Sequence, residues 1–407
     1  MGGQHDRQAI DAQLNETRGE NEHVSRNAAS ATMPDSFSSK HLAFMSNLSQ
    51  ERVRELLGQI VDPHTGQNLV AGGAVKGIGI DGGKVAVELQ LAYPAKTWSE
   101  SFAQQVRATL EQDADVAQAS VSVNARVHAH RVQKELTPLP NVKNILAIAS
   151  GKGGVGKSTT AVNLALALVA EGAKVGVLDA DIYGPSIPRM LGVTGKPDSK
   201  DGHHLEPKHA HGVQAMSIGF MIEEDTPMIW RGPMVTQALT QLLNETNWVD
   251  LDYLIIDLPP GTGDIQLTLC QRVPVSGALI VTTPQDIALL DAKKALKMFE
   301  KVEVPVLGIV ENMALHTCTQ CGHTEHIFGS GGGASMAQQY DVPLLGSLPL
   351  DMHIREQADG GTPTVAAQPD SKVAAMYREI ARKAAAQLSL QARSKSIQFP
   401  KIVIQNT

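Results

Sequence analysis

The segment Gly151-Lys152-Gly153-Gly154-Val155-Gly156-Lys157-Ser158-Thr159 carries the densest chemistry in the chain. It satisfies G-x-x-x-x-G-K-[ST] and lies between an apolar run, ILAIAS, that reads as a strand and a helical stretch from Thr160 to Glu171. In that setting the glycines let backbone N–H groups converge on phosphate oxygens, and the positive end of the helix dipole faces the same anion. Lys157 then reaches the β- and γ-phosphates, and Ser158 ligates Mg2+. Asp257 closes the strand YLII just ahead of Leu258-Pro259-Pro260-Gly261-Thr262-Gly263-Asp264. A carboxylate there can hold Mg2+ through water, and a following glycine N–H can sense the γ-phosphate. Asp179 and Asp181 end KVGVL at the carboxyl edge of the expected sheet, where one of them could orient the attacking water or complete the Mg2+ shell. Each aspartate alone reads as a helix cap or a solvated loop residue; three at the strand ends of one sheet argue for a site. Lys152 is a lysine the general motif does not require, and by itself it reads as a solvated charge.

A second cluster runs His316-Thr317-Cys318-Thr319-Gln320-Cys321-Gly322-His323-Thr324-Glu325-His326, just after VLGIV and Glu311-Asn312-Met313. A C-x-x-C pair can be a redox dithiol, half a zinc site, half an iron–sulfur ligand set, or two unligated thiols. The redox reading has the wrong context, since a thioredoxin-like pair opens a helix in a different βαβ unit. Zinc competes, because Cys318, Cys321, His323 and His326 supply four ligands, although the histidines follow too closely for finger spacing. A [4Fe-4S] cluster takes four thiolates, and this segment offers two. Cys270, in QLTLCQRV, sits at an apolar helical position expected in the core. Two subunits each giving Cys318 and Cys321 across a twofold axis would complete the set. A cluster on such a seam is exposed and releasable, which suits a carrier. On the residues alone, iron–sulfur binding stands ahead of zinc with both open.

Positioning these residues requires a sheet. From Asn144 onward, ILAIAS, KVGVLDAD, YLIIDLPP, GALIVTT, VPVLGIV and VPLLGSLPL recur with helix-like segments between most of them. That rhythm predicts an α/β fold, a doubly wound parallel-sheet P-loop NTPase over residues 144–407. A small α/β domain precedes it over 46–127. There SQERVRELLGQIVDP places Val53, Leu56, Leu57 and Ile60 on one helical face behind Ser49 as N-cap. GIGIDGGKVAVELQL reads as a hairpin, followed by a helix from about Trp98 to Glu111 and a strand through Val121 and Val123. Residues 128–143, with Pro138 and Pro140, read as a linker, and polar residues 1–45 as a flexible tail.

Composition bounds the partners. With 407 residues, 42% hydrophobic and 19% charged, the chain can bury a large core, which excludes wholesale disorder. Aromatics at 4% and 36 glycines fit an α/β enzyme better than an aromatic-packed sandwich. Against 42 Asp+Glu, 35 Lys+Arg leave a net charge of −7, so no global positive field draws the chain to nucleic acid or an anionic membrane. No apolar run approaches the roughly 18 residues that span a bilayer. The start MGGQHDRQAI has no secretory pattern, and Asp6 stands where myristoylation needs Ser or Thr. Three cysteines are too few for a disulfide framework. The expectation is a cytoplasmic protein with no nucleic-acid or membrane partner.

The words GKGGVGKST, DADIYGPSIP, MIWRGPM, LDYLIIDLPPGTGD, VTTPQDIALLD, GIVENM, CTQCG and IFGSGGG run in order over about residues 144–363. In them the chain resembles the Mrp/ApbC-type iron–sulfur cluster carriers, cytosolic ATPases of the deviant Walker A (MinD/ParA-like) P-loop group. The segment Ser49–Asn124, with IVDPHTGQNLV and its hairpin, is similar to the small iron–sulfur assembly domain often fused in front of bacterial members. The resemblance implies an ATP-hydrolysing homodimer that passes a [4Fe-4S] cluster from scaffold proteins to apoproteins. It makes Lys152 the lysine that crosses a nucleotide-sandwich dimer to the partner's phosphates. It puts Asp181 at the switch I aspartate, Asp257 at Walker B, Gly261 in switch II and Asn312 against adenine, and makes Cys318 and Cys321 the pair that bridges the cluster. One departure stands out: where relatives carry a cysteine in a T-P-A-C-P-like loop, this chain has Ala92-Tyr93-Pro94-Ala95-Lys96-Thr97. That leaves the small domain without a thiolate and predicts a docking role, to a partner or recipient. The rivals are a MinD/ParA-like ATPase that positions cargo on membrane or DNA, and a zinc-stabilised ATPase. The first would need a membrane-facing C-terminal helix, for which SKVAAMYREIARKAAAQLSLQARSK, with Val373, Met376, Tyr377, Ile380 and Ala384 on one face, is the candidate. Packing of that helix on the sheet is the alternative, because its apolar face is weak for lipid.

Overall fold

Ser49 starts the first helix by accepting the Arg52 N–H on its hydroxyl at 3.1 Å, and α1 (Gln50–Leu57) buries Val53, Leu56 and Leu57. Ile60 falls beyond the Gly58 C-cap and is half-buried. This computed structural model describes residues 48–133, 136–221 and 232–396, and only the backbone of 392–396. The tail assigned to 1–45 and residues 228–231 of MIWRGPM lie outside the described residues. Strands β1 (Val75–Asp81) and β2 (Lys84–Leu91) pair antiparallel around Gly82-Gly83. Period-two alternation in β2 buries Val85, Val87, Leu89 and Leu91, each contributing on the order of 1.5–3 kcal/mol of transfer free energy. Helix α2 (Ser99–Leu110) buries Phe102, Ala103, Val106 and Leu110 and delivers the chain to β3 (Gln118–Ala125), parallel to β2.

The stretch read as a linker is partly built into the structure. His130 is buried, and its Nδ1 and backbone N–H both face Asn144 Oδ1, at 2.6 and 3.1 Å. Burial pushes its imidazole down, so it stays neutral and donates through Nδ1. Strand β4 (Val142–Ala149) accordingly begins two residues before the expected position.

The main sheet follows in chain order. After α3 (Lys157–Ala170) come β5 (Val175–Asp179), the short α4 (Ile187–Met190), β6 (Lys208–Ala210) and β7 (Val213–Ser217). Then α5 (Gly232–Glu245), β8 (Leu251–Asp257), α6 (Asp264–Arg272), β9 (Gly277–Thr282) and α7 (Asp286–Lys301) lead to β10 (Val306–Glu311). A two-stranded hairpin, β11 (His316–Thr317) and β12 (Thr324–Glu325), precedes α8 (Gly332–Tyr340) and β13 (Leu344–Ser347). The helices α9 (Met352–Asp359), α10 (Thr364–Ala367) and α11 (Lys372–Ser396) finish the described chain. The order is β13-β10-β9-β4-β8-β5-β7-β6, parallel throughout except for the edge strand β6. Strand order reverses outward from β4, which puts the loops after β4, β5 and β8 at one carboxyl edge, the ligand edge of such sheets. The periodicity does not announce β6 and β7, because both are too short to show one.

Helix α11 lies on α3 and β13 with Tyr377, Ile380, Ala381, Ala384, Ala385 and Leu388 buried. Of the apolar face named for this helix, Tyr377, Ile380 and Ala384 are buried in this contact, Val373 is half-buried and Met376 is exposed. No helix among the described residues is long and apolar enough to cross a membrane. Glu171, the C-cap of α3, is buried and paired with Arg382 of α11, and also accepts the Thr97 N–H (2.9 Å) and hydroxyl. Beside it His64 faces Tyr93 Oη through Nδ1 (3.2 Å) and Glu379 Oε2 through Nε2 (3.1 Å). Burial alone would lower the His64 imidazole, but the hydrogen bonds to Asp62 and Glu379 outweigh it and raise its pKa.

Candidate functional site

Nucleotide-loop geometry begins where β4 stops. The chain passes Ser150 and reaches Gly156 at φ +82°, a left-handed conformation at which any Cβ would also collide with the Asn312 amide. Helix α3 starts immediately at Lys157, so its first N–H groups face the loop. Gly153 and Gly154 are exposed, Lys152 and Gly151 half-exposed, and Val155 buried. Lys157 is itself buried, its ammonium 2.6 Å from Asp257 Oδ1 and 3.2 Å from Ser158 Oγ. Thr159, beside it, accepts the Asn163 amide on its carbonyl.

Asp257 is fully buried at the end of β8, and its Oδ2 has no hydrogen-bond partner. A buried carboxylate oxygen left unpaired is costly. A cation or its bound water, shared with Ser158, would satisfy it, so the donor set fits Mg2+. Gly261, beyond Asp257, donates its N–H to Ser150 O at 2.9 Å and ties the following loop to the phosphate loop.

The two aspartates after β5 differ. Register places Asp179 beside Asp257 on adjacent strands. Burial, then the Asp257 charge, raises the Asp179 carboxyl. Both its oxygens are occupied: Oδ1 accepts the Asp181 N–H, and Oδ2 the Ile187 N–H and Ser217 hydroxyl, each at 3.1 Å. Asp179 therefore shapes the loop, while Asp181 is half-exposed and feels the Lys157 charge. Burial raises the Asp181 carboxyl despite that lysine.

Asn312 follows β10 and donates its side-chain N–H to Val155 O at 2.9 Å, which joins it to the phosphate loop. Four residues further on, the chain enters the β11–β12 hairpin with the cysteines at its tip. Cys318 N–H donates to His323 O (2.8 Å), and Gly322 N–H to Cys318 O (2.9 Å). The N–H groups of Cys321 and Gln320 aim at the Cys318 sulfur and lower its pKa, so the turn favours a thiolate. Cys318 is half-exposed, Cys321 exposed and Cys270 buried, its thiol pushed up to about 12 by burial. His326 Nδ1 instead faces Ala314 O (2.6 Å) and His316 Nδ1 faces Leu350 O (3.1 Å). Among the described residues no three His, Cys, Asp or Glu side chains converge as a metal-ligand group, so the four-ligand zinc set is not formed within one chain.

The sequence-predicted residues thus form two groups, the loop with Asp257, Asp181, Gly261 and Asn312, and the cysteine hairpin. Sequence reasoning missed Glu311, a buried carboxylate whose only signal is a charge closing the apolar run VLGIV.

Residues 141–385 match the family model for the NUBPL iron-transfer P-loop NTPase, and residues 50–123 that for the iron–sulfur cluster assembly protein. An iron–sulfur cluster carrier protein of Pseudomonas fragi is 60% identical over 268 residues, 65% of this chain and 93% of its own length. One from Haemophilus influenzae is 49% identical over 352 residues, covering 86% of this chain and 95% of the relative. The mouse iron–sulfur cluster transfer protein NUBPL is 51% identical over 246 residues, 60% of this chain and 77% of its own.

Proposed function

Because the chain belongs to the NUBPL iron-transfer P-loop NTPase family, we propose that it is an ATP-hydrolysing carrier that takes up a [4Fe-4S] cluster as cargo and delivers it to apoproteins. The observation that carries this reading is the attachment of both groups to one strand end: Asn312 bonds the phosphate loop, and the hairpin bearing Cys318 and Cys321 departs just beyond it. One chain offers two cluster thiolates, so four require a homodimer, with scaffold proteins as donors and apoproteins as recipients.

ATP binds with its phosphates on the N–H groups of the loop Gly151–Thr159. Lys157 leaves Asp257 to reach the β- and γ-phosphates, and Lys152 reaches across the dimer to the partner's nucleotide. Ser158 and Asp257 would hold Mg2+, which would neutralise phosphate charge when bound. Asp181 orients the attacking water, since Asp179 has no free oxygen for it. The Gly261 N–H leaves Ser150 O to report the γ-phosphate, and Asn312 lies against the base. The seam tightens with the triphosphate and relaxes after hydrolysis, changing the hold on the cluster.

The test is anaerobic reconstitution with iron and sulfide, followed by visible spectroscopy, metal counting and sizing. The expected product is four irons per dimer, lost in Cys318→Ala and Cys321→Ala. Metal held by a monomer, or zinc held in preference to iron without oxygen, would overturn the reading.

A further inference from the structure

Glu311 sits between the two groups of the site, and neither uses it. It closes β10 with 4% of its surface exposed. Its Oε1 accepts the Gly333 N–H at 2.7 Å and its Oε2 the Ser347 hydroxyl at 3.1 Å, while its backbone carbonyl accepts the Leu348 N–H at 2.8 Å. A Cβ on Gly333 would lie 2.9 Å from the Glu311 Cβ, so the first turn of α8 rests directly on this side chain.

Residues 314–332 are the excursion that carries both cysteines. It leaves at Ala314, whose N–H donates to Leu348 O at 2.9 Å, and it returns at Gly333. One foot of the excursion therefore stands on Glu311 itself and the other on the residue its carbonyl holds. The next residue, Asn312, donates its N–H to Thr282 O at 2.7 Å and its side chain to Val155 O at 2.9 Å. From the phosphate loop to the Gly333 foot the path is two consecutive residues long, and Leu348 extends it to Ala314.

We propose that Glu311 is a positioning residue that transmits the state of the phosphate loop to the Cys318–Cys321 hairpin. The proposal rests on the nucleotide reading of that loop. Hydrogen bonds to a carboxylate are short and strong, so the base of the excursion is stiff. The hairpin beyond it is mostly exposed, with its two strands paired at two positions and the Cys318 N–H donating to His323 O above them. A shift of the Val155 carbonyl on nucleotide binding moves Asn312 and the Glu311 peptide together, and the carboxylate carries the shift to α8 and β13. Alanine at 311 leaves the Gly333 N–H and the Ser347 hydroxyl without their acceptor but spares the Asn312 side chain. The path is then cut on the hairpin side of the nucleotide.

The test uses the full-length chain without any cluster. Alkylation rates of Cys318 and Cys321 by iodoacetamide are followed by peptide mass spectrometry, with and without Mg2+ and a non-hydrolysable ATP analogue. Buried Cys270 reports unfolding in the same samples. In the unsubstituted protein the analogue should change the Cys318 rate about fivefold or more, the low end of usual coupling between sites. In Glu311→Ala the ratio should fall to about one with analogue affinity retained. Glu311→Gln, which keeps an acceptor for Gly333, should recover most of it. Should Glu311→Ala unfold, shown by rapid Cys270 labelling, Ser347→Ala should give an intermediate ratio. An unsubstituted protein without a nucleotide-dependent ratio overturns the proposal, as does a folded Glu311→Ala that keeps the full ratio. Failure of the cluster reading appears only in reconstitution, which this experiment does not use.

Discussion

Arg382→Ala tests the contact between the small domain and the NTPase body most directly. The Arg382 side chain is about one-tenth exposed and that of Glu171 is fully buried, so the pair is shielded from solvent. Removing one partner of a buried pair costs about 3–5 kcal/mol, because the other charge is left uncompensated. Glu171 would still accept the Thr97 N–H at 2.9 Å and the Thr97 hydroxyl, which points to the low end, about 3 kcal/mol. The second partner, Glu379, is more than a third exposed, so losing its bond to Arg382 (2.7 Å) adds little. At about 1.4 kcal/mol per tenfold, the contact should open on the order of 100 times more often. The amides of Lys96 and Thr97 report it, since Lys96 N–H donates to Glu171 O at 3.1 Å and Thr97 N–H to its carboxylate. Hydrogen–deuterium exchange at these two amides should accelerate by that factor while the amides of β4 and β8 stay protected. Replacing both partners, Glu171→Gln with Arg382→Met, keeps an acceptor for Thr97 and buries no charge. Its exchange should return to within about tenfold of the unsubstituted protein. Unchanged exchange in Arg382→Ala, or a double variant as open as the single one, would refute the assignment of Arg382 as the clasp.

Other predictions address the same junction and the site. The raised His64 pKa means that its contribution to stability is complete below the ordinary value of 6.5 and is lost as pH climbs through the raised one. The melting-temperature difference between the unsubstituted protein and His64→Gln should therefore shrink as pH rises above about 6.5, and a difference that grows would contradict it. Asp62 and Glu379 are lowered, so their contributions are lost at the opposite, acidic end. Lys157→Ala should reduce ATP turnover by roughly 100-fold or more. Asp181→Asn should slow hydrolysis while leaving binding of an ATP analogue within a few-fold, as titration would show. Cys270→Ala should cost about 1–2 kcal/mol of stability, read by denaturant titration, yet leave iron content after reconstitution unchanged.

Most of the candidate site is legible in the chain because it depends on local geometry. Loop, strand and helix are contiguous, so Gly151 to Thr159 can be read without knowing the fold, and strand ends mark Asp257. What is not legible depends on partners distant in sequence. Nothing in DADIYG separates Asp179 from Asp181; the distinction comes from Ile187 and Ser217, which occupy Asp179. Strands β6 and β7 are missed because pairing, not periodicity, defines them. Residues 128–143 look like a spacer from their prolines, yet Asn144 draws His130 into the core.

The loop from Ala92 to Thr97 shows the same limit with a consequence for the small domain. Its lack of cysteine suggested docking to a partner or recipient. In the structure this loop meets the chain's own NTPase body: Lys96 and Thr97 donate to Glu171, and Tyr93 Oη donates to Asp62 at 2.9 Å beside His64. Glu171 caps the far end of α3, the helix whose first residue is Lys157, and α3 is buried from Thr160 to Leu168. A helix so tightly packed moves as a rod, because interiors at crystal-like density transmit displacement and do not absorb it. Lys96 and Thr97 thus fix the small domain to the helix that begins at the phosphate loop. The contact uses the backbone N–H of Lys96, the N–H and hydroxyl of Thr97, the Glu171 carboxylate and Arg382, so the Lys96 side chain is not part of it.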